Sequence, residues 1–244
     1  MTKPYAYPIP RCDDAVESIG PDAKFFIAID LDSGYWQILA EKEARERLAF
    51  FVPGGKKRWK VMPMGALNSA STFVAMMDGL QTQWDAKARE NGLKNVGSKV
   101  IVDDVLLHGD TTHNLLAYFE VVLGVLQEHR ATIKLKKCKW FKERCEFVGI
   151  DITPDGNKPA ESKYDAFTNL ERPATFGDMR MLIGMFGFYS KFLHLYENRI
   201  GHWREILAKQ PRPGESTMAE EETLMTSLWE PRDNETLEEL KSDI

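Results

Sequence analysis

Cysteine is scarce in this chain, with three in 244 residues: Cys12, Cys138 and Cys145. An odd, sparse count excludes a disulfide framework and fits a reducing compartment. Their spacing matches no zinc pattern. Long hydrophobic runs are also missing, and none approaches the roughly 18 apolar residues of a membrane span. The opening Met1-Thr2-Lys3-Pro4-Tyr5 is polar and lacks the apolar stretch of a secretory signal. Together these absences predict an intracellular protein with no membrane partner. There is no internal repeat. What is present, 43% hydrophobic, 11% aromatic and 28% charged residues, supports a packed core and excludes disorder. The length suits one large or two modest domains.

The net charge of −5 hides an asymmetry. From Pro211 onward there are 10 Asp+Glu against 3 Lys+Arg, whereas the first 210 residues carry 29 Lys+Arg against 27 Asp+Glu. Arg130 to Arg144 holds seven basic residues and one acid, and Lys56-Lys57-Arg58-Trp59-Lys60 is a second basic cluster. Basic patches with interleaved aromatics suit nucleic acid, although a solvated face has the same composition.

The patterning alternates strands and helices before turning all-helical. Phe25 to Leu31 reads as a buried strand with Asp30 near its end, and Gly34 breaks it. Leu48–Val52 and Arg58–Met62 flank Pro53-Gly54-Gly55 as a hairpin. Ser69 to Glu90 has Phe73, Met76, Met77 and Leu80 at helical spacing and ends at Asn91-Gly92. Lys99 to Gly109 reads as a tight hairpin tipped by Asp103 and Asp104, followed by a helix from Thr112 to His129. Lys134-Leu135-Lys136 and Cys145 to Ile150 read as short strands. Past residue 157 the chain reads as helices over Glu161–Leu170, Thr175–Leu195 and His202–Lys209, punctuated by Pro173, Pro211 and Pro213. The acidic tail from Glu215 is the least informative part.

The carboxylates carry the chemistry. Asp is depleted in strands and costly to bury unless neutralised. Alone, Asp103-Asp104 is either an ordinary Asp turn or a site for a divalent cation, which favours hard oxygen ligands. A sheet that joins Asp30 to this pair would hold three mutually repelling acids, a natural place for divalent ions. Two such ions can clamp the attacking and leaving oxygens of a phosphoryl transfer.

At this point the sequence resembles a known family, the reverse transcriptases of gypsy-type LTR retrotransposon polyproteins. Ile29 to Ile38 resembles the family's L-D-L-x-S-G-Y-x-Q-I, and Phe51 to Val61 its fingers hairpin. Met62 to Phe73 is similar to L-P-F-G-L-x-N-A-P-x-T-F, and Val102-Asp103-Asp104 to the end of Y-x-D-D. Lys137-Cys138 with Phe141 resembles K-K-C-x-F, and Phe147-Val148-Gly149 resembles F-L-G. Leu182 to Phe192 resembles the thumb helix motif. The likeness covers residues 5 to 208. Ile101 stands where the family has Tyr, and strand alternation places it on the side of Asp103.

The resemblance implies an α+β fold: a polymerase palm, an antiparallel sheet packed on helices, with partial fingers and a helical thumb. It divides the chain into partial fingers and palm (1–156), thumb (157–210) and an acidic connection (211–244) toward an RNase H-like domain. It implies an RNA-directed DNA polymerase with catalytic Asp30, Asp103 and Asp104. These acids and the Leu31 carbonyl would hold two Mg2+ ions, with Mn2+ as the alternative. Asp32, Ser33, Gly34, Tyr35, Met64 and Gly65 would bind the nucleotide, with Tyr35 as the steric gate. Phe147, Val148 and Gly149 would grip the primer. Lys134, Lys136, Lys137 and Lys139 would lie along the nucleic-acid backbone. The implied partners are an RNA or DNA template with primer and deoxynucleoside triphosphates, in the cytoplasm, a virus-like particle or the nucleus. The chain's abrupt start leads to the expectation of preceding fingers strands outside this sequence. The alternative reading is an impaired descendant that only binds nucleic acid or a protein partner.

Overall fold

The computed structural model of the chain describes residues 3–212 and 217–244. Pro213, expected to punctuate the helices, and Glu215, at the start of the acidic tail, lie outside the described residues. The chain divides into two compact units, Met1–Asn157 and Lys158–Ile244.

The first unit runs α1 (Cys12–Glu17), β1 (Phe25–Asp30), a 3-10 turn Gly34–Gln37, α2 (Lys42–Arg47), β2 (Ala49–Val52), β3 (Gly55–Arg58), α3 (Ser69–Glu90), β4 (Val96–Ile101), β5 (Asp104–Gly109), α4 (Thr112–Glu128), β6 (Lys139–Lys142), β7 (Cys145–Phe147) and β8 (Ile150–Thr153). The division falls within β9 (Gly156–Pro159). Four strands form an antiparallel sheet in the order β4-β5-β1-β6. Alternation along β1 and β5 sends Ile27, Ile29, Val105 and Leu107 into one core with α3 and α4. On α3, Phe73, Met77, Leu80, Trp84 and Ala88 recur every three or four residues and are buried. That helix ends where Gly92 takes φ 72°. Gly92 N–H donates to Arg89 O and Leu93 N–H to Ala88 O, the paired bonds of a Schellman cap. On α4, Leu115, Tyr118, Val122, Val125 and Leu126 supply the facing stripe.

Three expected strands differ. The β2–β3 hairpin closes with Val52 opposite Gly55, so its loop is the two residues Pro53-Gly54, and the second strand is the basic Gly55–Arg58. Pro sets φ at the first loop position, and Gly54 supplies the positive φ of 99° at the second, so no third loop residue is needed. Lys134-Leu135-Lys136 is a turn, not a strand, because Lys137 N–H donates back to Lys134 O and closes it, while Lys134 N–H still donates to Asp30 O. Pairing with β1 resumes only at Lys139, opposite Ala28. The stretch from Cys145 to Ile150 is two strands, reversed at Val148-Gly149, whose φ values are 46° and 80°. Two positive φ angles make the mirror-image turn that suits a tight hairpin.

The second unit begins, after a 3-10 turn at Glu161–Lys163, with α5 (Tyr164–Thr168) and α6 (Phe176–Phe188). It continues with α7 (Tyr196–Arg199), α8 (Gly201–Ala208), α9 (Met218–Leu228) and α10 (Pro231–Ser242). Thr175 starts α6 with a capping box: Asp178 N–H donates to Thr175 Oγ1 (3.1 Å), and Thr175 N–H donates to Asp178 Oδ2 (2.9 Å). The helix expected from Thr175 to Leu195 is shorter, because a 3-10 turn follows at Ser190–Phe192 and Leu195 takes φ 50°. Residues expected in the acidic connection pack into this unit's core. Met225, Trp229, Leu237 and Leu240 join Phe176, Phe186 and Trp203, and Trp229 stacks on Trp203 with centroids 5.9 Å apart. No helix among the described residues is long and apolar enough to cross a membrane. Helices and antiparallel sheets thus combine as an α+β fold.

Candidate active site

The site grows from strand register. Asp30, the last residue of β1, pairs with Asp104, the first of β5, and Asp104 pairs on its other side with Ile101 of β4. Paired residues share a sheet face, so Asp30, Asp104 and Ile101 lie side by side, opposite the face that packs on α3 and α4. Ile101 was expected beside Asp103; instead Val102 and Asp103 are the two turn residues, and Asp103 stands outside the alternation. Ile101 is buried, whereas Asp103 and Asp104 are exposed. Val102, at φ 56°, turns the chain so that Asp103 projects at the tip.

The electrostatics register this convergence. The carboxyl of Asp104 is held above the usual carboxylate range, first by partial desolvation and then by the charges of Asp103, Asp30 and Glu146, while Lys139 opposes the shift. The Tyr35 hydroxyl is also pushed up, by desolvation and then by Asp103. Like charges raise one another's pKa, and carboxylate oxygens are the hard donors that divalent cations favour. Lys137 Nζ ion-pairs with Asp30 Oδ2 at 3.2 Å. Among the described residues, no group of three or more His, Cys, Asp or Glu side chains is gathered closely enough to hold a metal ion. The donor set fits a hard cation; the arrangement around it is open.

Two of the motifs interlock beside the acids. Tyr35 stacks on Phe73 with centroids 4.8 Å apart and planes 8° from parallel. A Cβ on Gly34 would come within 2.8 Å of the Phe73 ring, so only glycine lets the loop approach α3 this closely. Ser33 takes φ 54° just before it, and its hydroxyl donates to Asp32 Oδ1 (3.3 Å). The Leu31 side chain is buried, and its backbone runs beside Ile133 as an isolated bridge.

Gln37, which had no role on sequence grounds, fastens the loop after Asp30 to the segment after α4. Its amide donates to Asp32 O (2.6 Å) and Thr132 O (2.9 Å), and its Oε1 accepts from Thr132 N–H (2.7 Å). No local pattern exposes this clamp, because it joins residues 95 apart. Glu146 was likewise unassigned, and its charge acts on Asp104.

The other expected residues are less closely gathered. Met64 is exposed, and Gly65 takes φ 79° in the loop before α3; no described hydrogen bond or ion pair links them to the acids. Ser69 Oγ donates to Pro63 O (2.7 Å) and fixes that loop to the helix start. Phe147 is buried, with Val148-Gly149 at the β7–β8 turn. Lys134, Lys136 and Lys139 are exposed and make no described ion pair; of the four, Lys137 makes a described ion pair, with Asp30, and Lys139 acts on Asp104 through its charge.

Comparison with known proteins follows the same residues. The family model described as reverse transcriptase (RNA-dependent DNA polymerase) matches residues 2–152. The Retrovirus-related Pol polyprotein from transposon 297 of Drosophila melanogaster is 29% identical over 196 residues, 80% of this chain and 18% of that protein. The corresponding polyprotein from transposon gypsy of the same organism is 29% identical over 192 residues, 79% and 18%. The chain therefore spans less than a fifth of these curated relatives. Among solved structures, the foamy viral protease-reverse transcriptase in complex with RNA/DNA hybrid matches with TM-score 0.77 at 22% identity. That match covers 98% of this chain and 30% of the other. The complex of that enzyme with double-stranded DNA gives TM-score 0.71 at 24% identity, over 90% and 41%. At these identities the structural likeness speaks for the fold.

Proposed function

The chain belongs to the reverse transcriptase family, and on that premise we propose that it is a polymerase segment that extends a primer 3′-hydroxyl with deoxynucleoside triphosphates on an RNA or DNA template. The observation that carries this reading is the cross-strand pairing of Asp30 with Asp104 beside the Asp103 turn. In this reading residues 1–156 act as palm and partial fingers, 157–210 as thumb and 211–244 as a connection. Asp30, Asp103, Asp104 and the Leu31 carbonyl would hold two Mg2+ ions, or Mn2+ in their place. When bound, such ions lower the pKa of the attacking hydroxyl and stabilise the leaving pyrophosphate.

The chain's own residues do the rest. Tyr35, held flat by Phe73, presents a rigid ring to the sugar and excludes a 2′-hydroxyl. Asp32, Ser33 and Gly34 shape the loop beneath the nucleotide, with Met64 and Gly65 on its other side. Phe147, Val148 and Gly149 orient the primer terminus. Lys134, Lys136, Lys137 and Lys139 neutralise backbone phosphates without reading sequence, as copying requires. The nucleic-acid complexes of the structural neighbours support such partners here, and a protein that acts on these substrates would work inside the cell.

Primer extension on an RNA template with Mg2+ or Mn2+ tests the proposal. The chain is expected to add nucleotides, and Asp103→Asn to reduce product to background while retaining duplex binding. The second reading, a module that binds without copying, draws on Ile101, which places a buried aliphatic side chain against Asp104. It predicts salt-dependent duplex binding with no metal-dependent product from the unaltered chain; that result would sink catalysis.

A further inference from the structure

Lys137 is not an ordinary surface lysine. Its turn is fastened at both ends. Lys134 N–H donates to Asp30 O (2.8 Å), so the turn starts on the strand end that bears the acid. Cys138, the next residue, is buried in the main core and its thiol donates to Lys134 O (3.5 Å). Upstream, the Gln37 amide grips Thr132. Held this way, the turn delivers Lys137 Nζ to Asp30 Oδ2 at 3.2 Å. Lys139, two residues on, lies opposite Ala28 in β1, and its charge acts on Asp104. Two lysines of one segment thus balance two acids of the candidate site.

We propose that Lys137 and a divalent cation compete for the Asp30 carboxylate, so that Lys137 acts as a tethered counter-ion which a metal must displace. This rests on the metal-binding reading given above. A compact ammonium and a hard divalent ion want the same carboxylate oxygen, and two cations repel at that separation. The side chains of Lys137 and Asp30 are 58% and 37% exposed. An exposed pair is worth little and exchanges readily, so Lys137 tunes metal affinity without blocking it. Once displaced, its four-carbon stem leaves the ammonium free to meet an incoming phosphate, joining metal loading to nucleic-acid contact.

Mn2+ titration of the full chain, followed by electron paramagnetic resonance, tests this without reference to activity. Lys137→Met, which keeps most of the stem and removes the charge, is expected to tighten Mn2+ binding about 5-fold, the upper end of what an exposed ion pair is worth. Lys137→Arg is expected to restore the original affinity. In parallel, labelling by an amine-reactive reagent, read by mass spectrometry, is expected to quicken at Lys137 on addition of Mg2+, with Lys136 as internal control. Unchanged or weaker Mn2+ binding in Lys137→Met, in a chain that does bind Mn2+, would overturn the competition alone. Absence of Mn2+ binding in both would overturn the metal-site reading and the competition with it.

Discussion

Val102 and Val148 each place a β-branched residue in the left-handed region, at φ 56° and 46°, where such side chains are rare and strained. Val102 packs against the main core, which offsets part of that strain. Val148 belongs to neither core. It is followed by Gly149, also at positive φ, in a turn that favours Asn-Gly. Val148→Asn is therefore expected to stabilise the chain by up to about 1 kcal/mol, because Asn tolerates the left-handed region better than a β-branched residue. A urea midpoint that falls instead would show that the valine makes a compensating contact. At this scale the sequence revealed the acids well: a carboxylate inside an apolar run is locally conspicuous. It did not reveal that Lys137 sits on Asp30 or that Gln37 grips Thr132, because each depends on which distant segments meet. Ile101 was placed beside Asp103 by counting alternation through the tip, which ignores that a two-residue turn interrupts the count.

The β4–β5 hairpin shows how an element sets the chemistry of its side chains. Gly97 lies opposite His108, and a Cβ there would come within 2.8 Å of the imidazole Nε2. The bare glycine lets the ring lie over the neighbouring strand. Burial, aided by the charge of Lys99, pushes the His108 pKa down to about 4 from an ordinary 6.5. The folded chain then binds this proton less readily than the unfolded one. His108 thus contributes stability that is complete above pH 6.5 and is lost as pH falls toward 4, by up to about 3 kcal/mol. Gly97→Ala is expected to displace the ring into solvent, move the imidazole pKa back toward 6.5 in an NMR titration, and flatten that acid dependence. An unmoved titration would mean the ring does not need the space. The elements themselves were largely legible, and α3 falls on its expected range because its apolar stripe and Gly92 stop are both local signals. Lys134-Leu135-Lys136 misled because alternating polarity suits an exposed turn as well as a strand. The bond from Lys137 N–H back to Lys134 O, which closes the turn, distinguishes them.

Over the whole molecule, composition misrepresented the C-terminal region. Residues from Pro211 onward carry 10 acids against 3 bases, which suggested a connecting tail. Their few large apolar residues nevertheless fall at spacings that complete the second core. Met225, Trp229, Leu237 and Leu240 are all buried there, and Trp229 stacks on Trp203. The charges have structural partners too. Asp233 accepts from Glu230 N–H (2.8 Å) at the start of α10 and lies 2.9 Å from His202 Nδ1; Arg199 pairs with Glu239 and Asp243. Ending the chain after Gln210 would remove four large buried side chains, each worth about 2–5 kcal/mol. Together these come to about 8–20 kcal/mol, comparable to the whole of the roughly 5–15 kcal/mol that holds a typical domain. The shortened chain is expected to lose hydrogen-exchange protection in α6 and α8, whereas the full chain keeps it. Retained protection in those helices would show that α9 and α10 are an appendage and that the acidic composition had been the better guide. Loss of protection would show that α9 and α10 belong to the core of the second unit, because the apolar positions, sparse as they are, outweigh the charges around them.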